Sequence, residues 1–154
     1  MTQAIQQQTI ALVGQIFDQQ MPFHQFLGLR VKRYDLSGVE VELAMKPELV
    51  GNFHHNILHG GVTATILDVV GGLTAFAGLV SSRDNWQAEQ LEQRLKALST
   101  IDLRVDYLRP GKGVCFTGTG EVIRSGNRIS VCKMELHNEK NHQIALGTAT
   151  YVVG

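Results

Sequence analysis

The chain has 154 residues, its 14 Lys+Arg are balanced by 14 Asp+Glu, and only 18% of its residues are charged. Neutrality argues against a general nucleic-acid binder, which carries a basic excess, and against an acidic disordered chain. A charge-poor surface tends to associate, so a homo-oligomer is expected, and the length predicts one domain over residues 1–154. The first eight residues hold no basic n-region and no apolar run, so no secretory leader is expected. Cys115 and Cys132 lack CxxC spacing and read as small buried hydrophobes in a reducing, cytoplasmic setting.

Residues 4–20 read as an amphipathic helix, with Ile5, Thr9, Leu12, Val13, Ile16 and Phe17 at three- and four-residue steps and Pro22 as its stop. A strand is expected over 27–34, a turn over 35–38, then a half-buried strand in which Val39, Val41, Leu43 and Met45 alternate with polar or small residues. Residues 60–80 read as a buried helix and 83–98 as a charged amphipathic one. Four strands follow: 100–108, 114–123, 128–136 and 144–152. The second and third pair through a hairpin turn at Arg124–Asn127. The order predicts an α+β fold, an antiparallel sheet wrapped on one long buried helix with an N-terminal and a connecting helix besides. A transmembrane reading of 60–80 is disfavoured because Thr63, Thr65, Asp68, two glycines and Thr74 interrupt the run.

Charge is scarce in one stretch above all: between Leu49 and Ser82 the only formally charged side chain is Asp68. On a helical wheel Gly61, Ala64, Thr65, Gly71, Gly72 and Ala75 fall within roughly 60° of it, at about 100° per residue. Val62, Ile66, Val70 and Leu73 fall opposite. One face suits a sheet core. The other is a small-residue stripe that lets a backbone or a ligand approach the carboxylate. The helix opens on His59-Gly60-Gly61, where unpaired N–H groups at the positive end of the dipole suit an oxyanion or a polarised carbonyl. Gly60 and Asp68 are about 12 Å apart along one axis, which points to a site shared between two chains. His54, His55 and His59 lack an HExxH pattern or a cysteine partner, so no metal is expected.

These residues resemble a known family. Asn52, His59-Gly60-Gly61 and Asp68, followed by Thr100-Ile-Asp-Leu-Arg-Val-Asp-Tyr-Leu-Arg-Pro-Gly111, are similar to the hotdog-fold acyl-CoA thioesterases of the phenylacetate-pathway type, and within them to the proteobacterial YigI-type branch acting on medium and long acyl chains. The resemblance implies hydrolysis of acyl-CoA without a cofactor, by a homodimer or homotetramer. Gly60 N–H would polarise the carbonyl, His59 would shape its loop, and Asp68 of the adjacent subunit would act as base or nucleophile. Asn52 and Thr100 would assist the water or the acyl group. Asn52 stands seven residues ahead of His59, where several relatives keep six, the place of Phe53 here. Arg124, Gly126, Asn127 and Arg128 would meet the CoA phosphates, and Phe53, Ile57 and Phe76 the acyl chain. Two rival readings are a hotdog dehydratase or hydratase pairing His59 with Asp68, and a non-enzymatic acyl-CoA-binding module.

Overall fold

The computed structural model describes residues 2–154; Met1, the first residue of the expected domain, lies outside them. Helix α1 (Thr2–Gln19) is followed at once by a second, short helix, α2 (Pro22–Leu27). Pro22 does end α1, but it also opens α2 as its first residue, where a missing N–H costs nothing. Gly28, at φ 81°, closes α2 in the left-handed conformation. The first strand therefore begins at Leu29 rather than at Leu27.

Strands β1 (Leu29–Asp35) and β2 (Gly38–Ala44) form a hairpin. A 3-10 turn at Pro47–Leu49, strand β3 (Val50–Asn52) and strand β4 (Ile57–Leu58), none foreseen in the sequence, fold the approach to the long helix α3 (Gly60–Ser81). Helix α4 spans Ala88–Ala97, five residues shorter at its start than the helix expected over 83–98. Gln87 and Gln90 form a reciprocal capping box there. The chain ends with β5 (Ser99–Tyr107), β6 (Cys115–Ser125), β7 (Ile129–Asn138) and β8 (Gln143–Val152). Six strands make one sheet in the order β1-β2-β6-β7-β8-β5, every neighbour antiparallel.

The sheet wraps α3, as the hotdog arrangement requires. Of the face predicted for the core, Ile66, Val70 and Leu73 are fully enclosed in one cluster with Phe116, Met134 and Leu136, while Val62 is partly buried; Gly71, Gly72 and Ala75 on the other face are buried as well. Each such side chain contributes about 1.5–3 kcal/mol relative to exposure. Gly118 in β6 seats the helix, since a Cβ there would meet Val70 at 2.8 Å and Ile66 at 2.9 Å. Helix α3 is long and apolar enough to cross a membrane, with a mean hydropathy of 1.7. The sheet and α1, not lipid, cover it.

Helix α1 covers the β1 edge. Its Ile10 and Val13 are buried, and Asp18 accepts hydrogen bonds from Arg30 Nε (2.9 Å) and from the Val31 N–H (2.8 Å) of β1. Gln6 Nε2 donates to the carbonyls of Val80 (2.8 Å) and Arg83 (2.7 Å), satisfying acceptors left open where α3 ends. Trp86, buried just before α4, donates from Nε1 to the same Val80 carbonyl at 3.1 Å.

Candidate active site

The start of α3 is built from its own loop. His59 is the N-cap residue at φ −60°, ψ 134°, and its Nδ1 accepts the Gly61 N–H at 2.9 Å. The Gly60 N–H has no acceptor among the described residues and belongs to the amides a helix cannot pair internally. Tyr107 Oη donates to the Gly60 carbonyl at 2.6 Å, tying the far end of β5 to this turn. The loop is closed by His59 N–H to Leu49 O (2.8 Å) and Leu58 N–H to Gly111 O (2.9 Å). A cleft of about 340 Å³ opens here, lined by Ile57, Gly60, Thr63, Tyr107, Leu108 and Pro110 among others.

Asp68 stands two helical turns further on. Its Oδ1 accepts from Thr100 Oγ1 at 2.9 Å and faces Tyr151 Oη at 3.2 Å. Tyr151 Oη is also 3.1 Å from the Asp68 carbonyl. Asp68 Oδ2 has no partner among the described residues. Burial of the Tyr151 ring pushes its hydroxyl pKa far up, and the Asp68 charge beside it adds to the effect, so Tyr151 stays a neutral donor. Burial likewise pushes the nearby Cys132 thiol up to about 11, which leaves it an unreactive packing group. The small-residue stripe has a different occupant from the backbone or ligand expected. A Cβ on Gly71 would lie 2.7 Å from Tyr151 Cζ, so the chain's own tyrosine fills that part of the stripe.

Thr100 reaches Asp68 because β5 is irregular. Leu103 and Val105 pack on the core, and simple alternation would send Ile101 inward with them. Instead the register runs Thr100 to Tyr151 and Asp102 to Thr150, leaving Ile101 as the extra residue of a β-bulge. Ile101 is 55% exposed, and Thr100 takes the helix-facing place. Asp102 Oδ1 accepts the Thr150 N–H at 2.9 Å across the bulge.

The other expected site residues are more scattered. Asn52 is exposed, and its Oδ1 accepts the His54 N–H at 3.2 Å, a local turn contact away from Asp68. Phe53 is 80% exposed and lies on His54, while Ile57 lines the Gly60 cleft. Phe76 is wholly enclosed in the core. The β6–β7 turn is 126–128 rather than the expected 124–127: Arg124 lies within β6, paired with Val131, Arg128 lies in the turn, both are exposed, and Gly126 N–H closes on Ile129 O at 2.8 Å. Asn127 is already engaged. Arg94 donates to its carbonyl at 2.6 Å, and Arg83 donates to its Oδ1. Both guanidiniums lie over the Trp86 ring, at 4.5 Å for Arg83 and 5.8 Å for Arg94. No three His, Cys, Asp or Glu side chains among the described residues stand close enough to hold a metal ion.

Tyr107 and Tyr151 are absent from the sequence-derived set. A signal for Tyr151 exists: a tyrosine on the inward face of β8, after Gly147 and Ala149, needs a buried partner for its hydroxyl. Its identity as Asp68 could come only from the fold.

Six antiparallel strands wrapped on one long helix are the hotdog fold of thioester-cleaving enzymes. The chain belongs to the thioesterase superfamily, whose family model matches residues 55–145. It is 44% identical to the medium/long-chain acyl-CoA thioesterase YigI of Escherichia coli K12 over 96% of each chain. A crystal structure of a Shewanella oneidensis protein related to the same superfamily is 67% identical, covers 97% of this chain and 98% of its own, and superposes with a TM-score of 0.96. A Bacillus halodurans protein crystallised with CoA shares the fold at 20% identity, a TM-score of 0.70 and coverage of 99% of this chain and 91% of its own.

Proposed function

We propose that the protein hydrolyses acyl-CoA thioesters of medium to long chain to the free acid and CoA, in a site shared by two subunits. One observation carries the reading. The two halves of the chemistry sit at opposite ends of one strand, Asp68 on Thr100 at the start of β5 and Gly60 on Tyr107 at its end. Among the described residues strand β5 pairs only with β8, so its outer edge is open there, and Ile101 and Tyr107 on it are each 55% exposed.

Pairing two copies of β5 antiparallel about Leu103 brings the halves together. In that register Thr100 of one copy falls opposite Asp106 of the other, next to the Tyr107 that holds Gly60. Asp102 falls opposite Arg104, so the charges along the edge are complementary. A dimer joined this way has two equivalent sites. The family resemblance allows either this dimer or a tetramer of two such dimers. We also place the protein in the cytoplasm, where the free thiols Cys115 and Cys132 match a reducing compartment.

In each site the thioester oxygen rests on the Gly60 N–H at the positive end of α3, which draws charge from the carbonyl carbon. Asp68 of the other subunit takes a proton from water as the hydroxide adds to that carbon. The tetrahedral oxyanion is held on Gly60 until the C–S bond breaks. CoA leaves as a thiolate, a good leaving group, the acid remains, and Asp68 gives up its proton to the thiolate or to solvent, which restores the base. His59 Nδ1 is held by Gly61 N–H, and more than two turns of helix separate it from Asp68. With that nitrogen engaged, His59 serves to shape the Gly60 loop rather than to pair with the other subunit's Asp68 as a dehydratase histidine would. Exposed Arg124 in β6 and Arg128 in the β6–β7 turn are candidate phosphate contacts. Ile57, which lines the Gly60 cleft, and the exposed Phe53 are the candidate acyl contacts.

The test is release of free CoA thiol across a series of straight-chain acyl-CoAs. Asp68→Asn is expected to lower kcat by about 10²–10⁴-fold, the usual contribution of a general base, with an unchanged melt. Wild-type turnover by this variant would remove Asp68 from the chemistry.

A further inference from the structure

We infer that Tyr151 is a positioning residue for Asp68, holding Oδ1 together with Thr100 and so leaving Oδ2 as the oxygen that reacts. The inference rests on the catalytic reading of Asp68 given above. Three observations carry it. Both hydroxyls address the same carboxylate oxygen, while Oδ2 is left without a partner among the described residues. The carboxylate is a stronger acceptor than the nearby Asp68 carbonyl, so the single phenolic proton is drawn to it. Finally, Gly71 stands one turn after Asp68, where any Cβ would strike the tyrosine ring, so the helix is shaped to admit this side chain.

Tyr151 cannot touch substrate from where it lies, being 1% exposed beneath α3. Its action is on the geometry of the carboxylate. The titratable groups around its hydroxyl are Asp68 on α3, Asp102 on β5 and Cys132 on β7. Asp102 is committed to the Thr150 N–H, and Cys132 stays a thiol, so Asp68 is the acceptor that remains.

The experiment is steady-state hydrolysis of an acyl-CoA by the full-length protein as wild type, Tyr151→Phe, Thr100→Val, the double variant and Asp68→Asn, each checked by circular dichroism and thermal melting. Tyr151→Phe keeps the ring and removes the hydroxyl. It is expected to lower kcat about ten-fold, the lower end for a hydrogen bond to a charged group, with KM within about two-fold. The double variant should lose more than the product of the two single losses, because either hydroxyl alone still holds Oδ1. A folded Tyr151→Phe protein with wild-type kcat, beside an inactive Asp68→Asn protein, overturns the inference and leaves the catalytic reading standing. An active Asp68→Asn protein overturns both. Should Tyr151→Phe fail to fold, Tyr151→Met, which fills the space with a flexible apolar chain, is read in its place. Failure of both to fold makes the hydroxyl part of the fold and also overturns the inference.

Discussion

The two ends of β5 differ in kind. At its start a carboxylate is gripped by side chains, Thr100 and Tyr151, and one of its oxygens is immobilised. At its end a backbone amide is left open while everything around it is tied: the Gly60 carbonyl to Tyr107, the Gly61 N–H to His59. On the proposed mechanism one end presents a base and the other an electrophilic cradle, and one chain keeps them a strand's length apart. The contrast teaches that this fold can build both halves of the chemistry without closing a site by itself.

The sharpest way to test that contrast is to destroy each end separately. Gly60→Pro removes the amide hydrogen at the first helical position, where proline is tolerated, and His59 already has the extended ψ of 134° that a residue before proline needs. It should lower kcat by about 10²–10³-fold, as loss of an oxyanion donor does. Mixing Gly60→Pro and Asp68→Asn subunits by unfolding and refolding should then restore activity to about a quarter of wild type, since half the two-fold dimers are mixed and each has one intact site. No recovery would place both groups in one chain's site.

A smaller effect is expected from the seam itself. Arg104→Glu sets like charges against Asp102 across the proposed two-fold. It should raise the dimer dissociation constant about ten-fold or more, read by light scattering and by loss of specific activity on dilution.

The smallest effect belongs to the far edge of the sheet, which serves as a control. The hydrogen bond from Arg30 is the foremost cause holding the Asp18 carboxyl below the usual carboxylate range, and the Val31 N–H acts the same way. This contribution is present above the ordinary carboxylate pKa and is lost as pH falls through the lower folded value. Asp18→Asn should therefore cost ~1 kcal/mol or less near neutral pH, since Arg30 is largely exposed. The gap from wild type in urea denaturation should close as pH is taken from about 7 to about 2.5, with kcat unaffected throughout.

Much of this was legible in residue spacing. The scarcity of charge around Asp68 marked the buried helix, and Ile66, Val70 and Leu73 marked the side that faces the sheet. His59-Gly60-Gly61 showed where amides would be left over. What escaped was whatever depends on a partner distant in sequence. Alternation along β5 gave Ile101 the inward place, and only the pairing of Asp102 with Thr150 reveals the bulge that hands it to Thr100. Gly71 read as room for a visitor, and the visitor is a residue 80 positions later. Trp86 looked like part of a helix until its ring was seen beneath Arg83 and Arg94, which brace the β6–β7 turn at Asn127.

The open outer edge of β5 has a consequence of another sort. The opposite edge is sealed by α1 from the same chain, a contact whose strength does not depend on how much protein is present. An edge closed by a second copy obeys mass action. On the proposed pairing, dilution would cost the protein its catalytic sites before it cost the protein its fold, and the apparent melting temperature would rise with concentration. Unpaired, the same strand would offer a row of free N–H and C=O groups to any extended chain, so catalysis and protection from aggregation would be secured by a single contact.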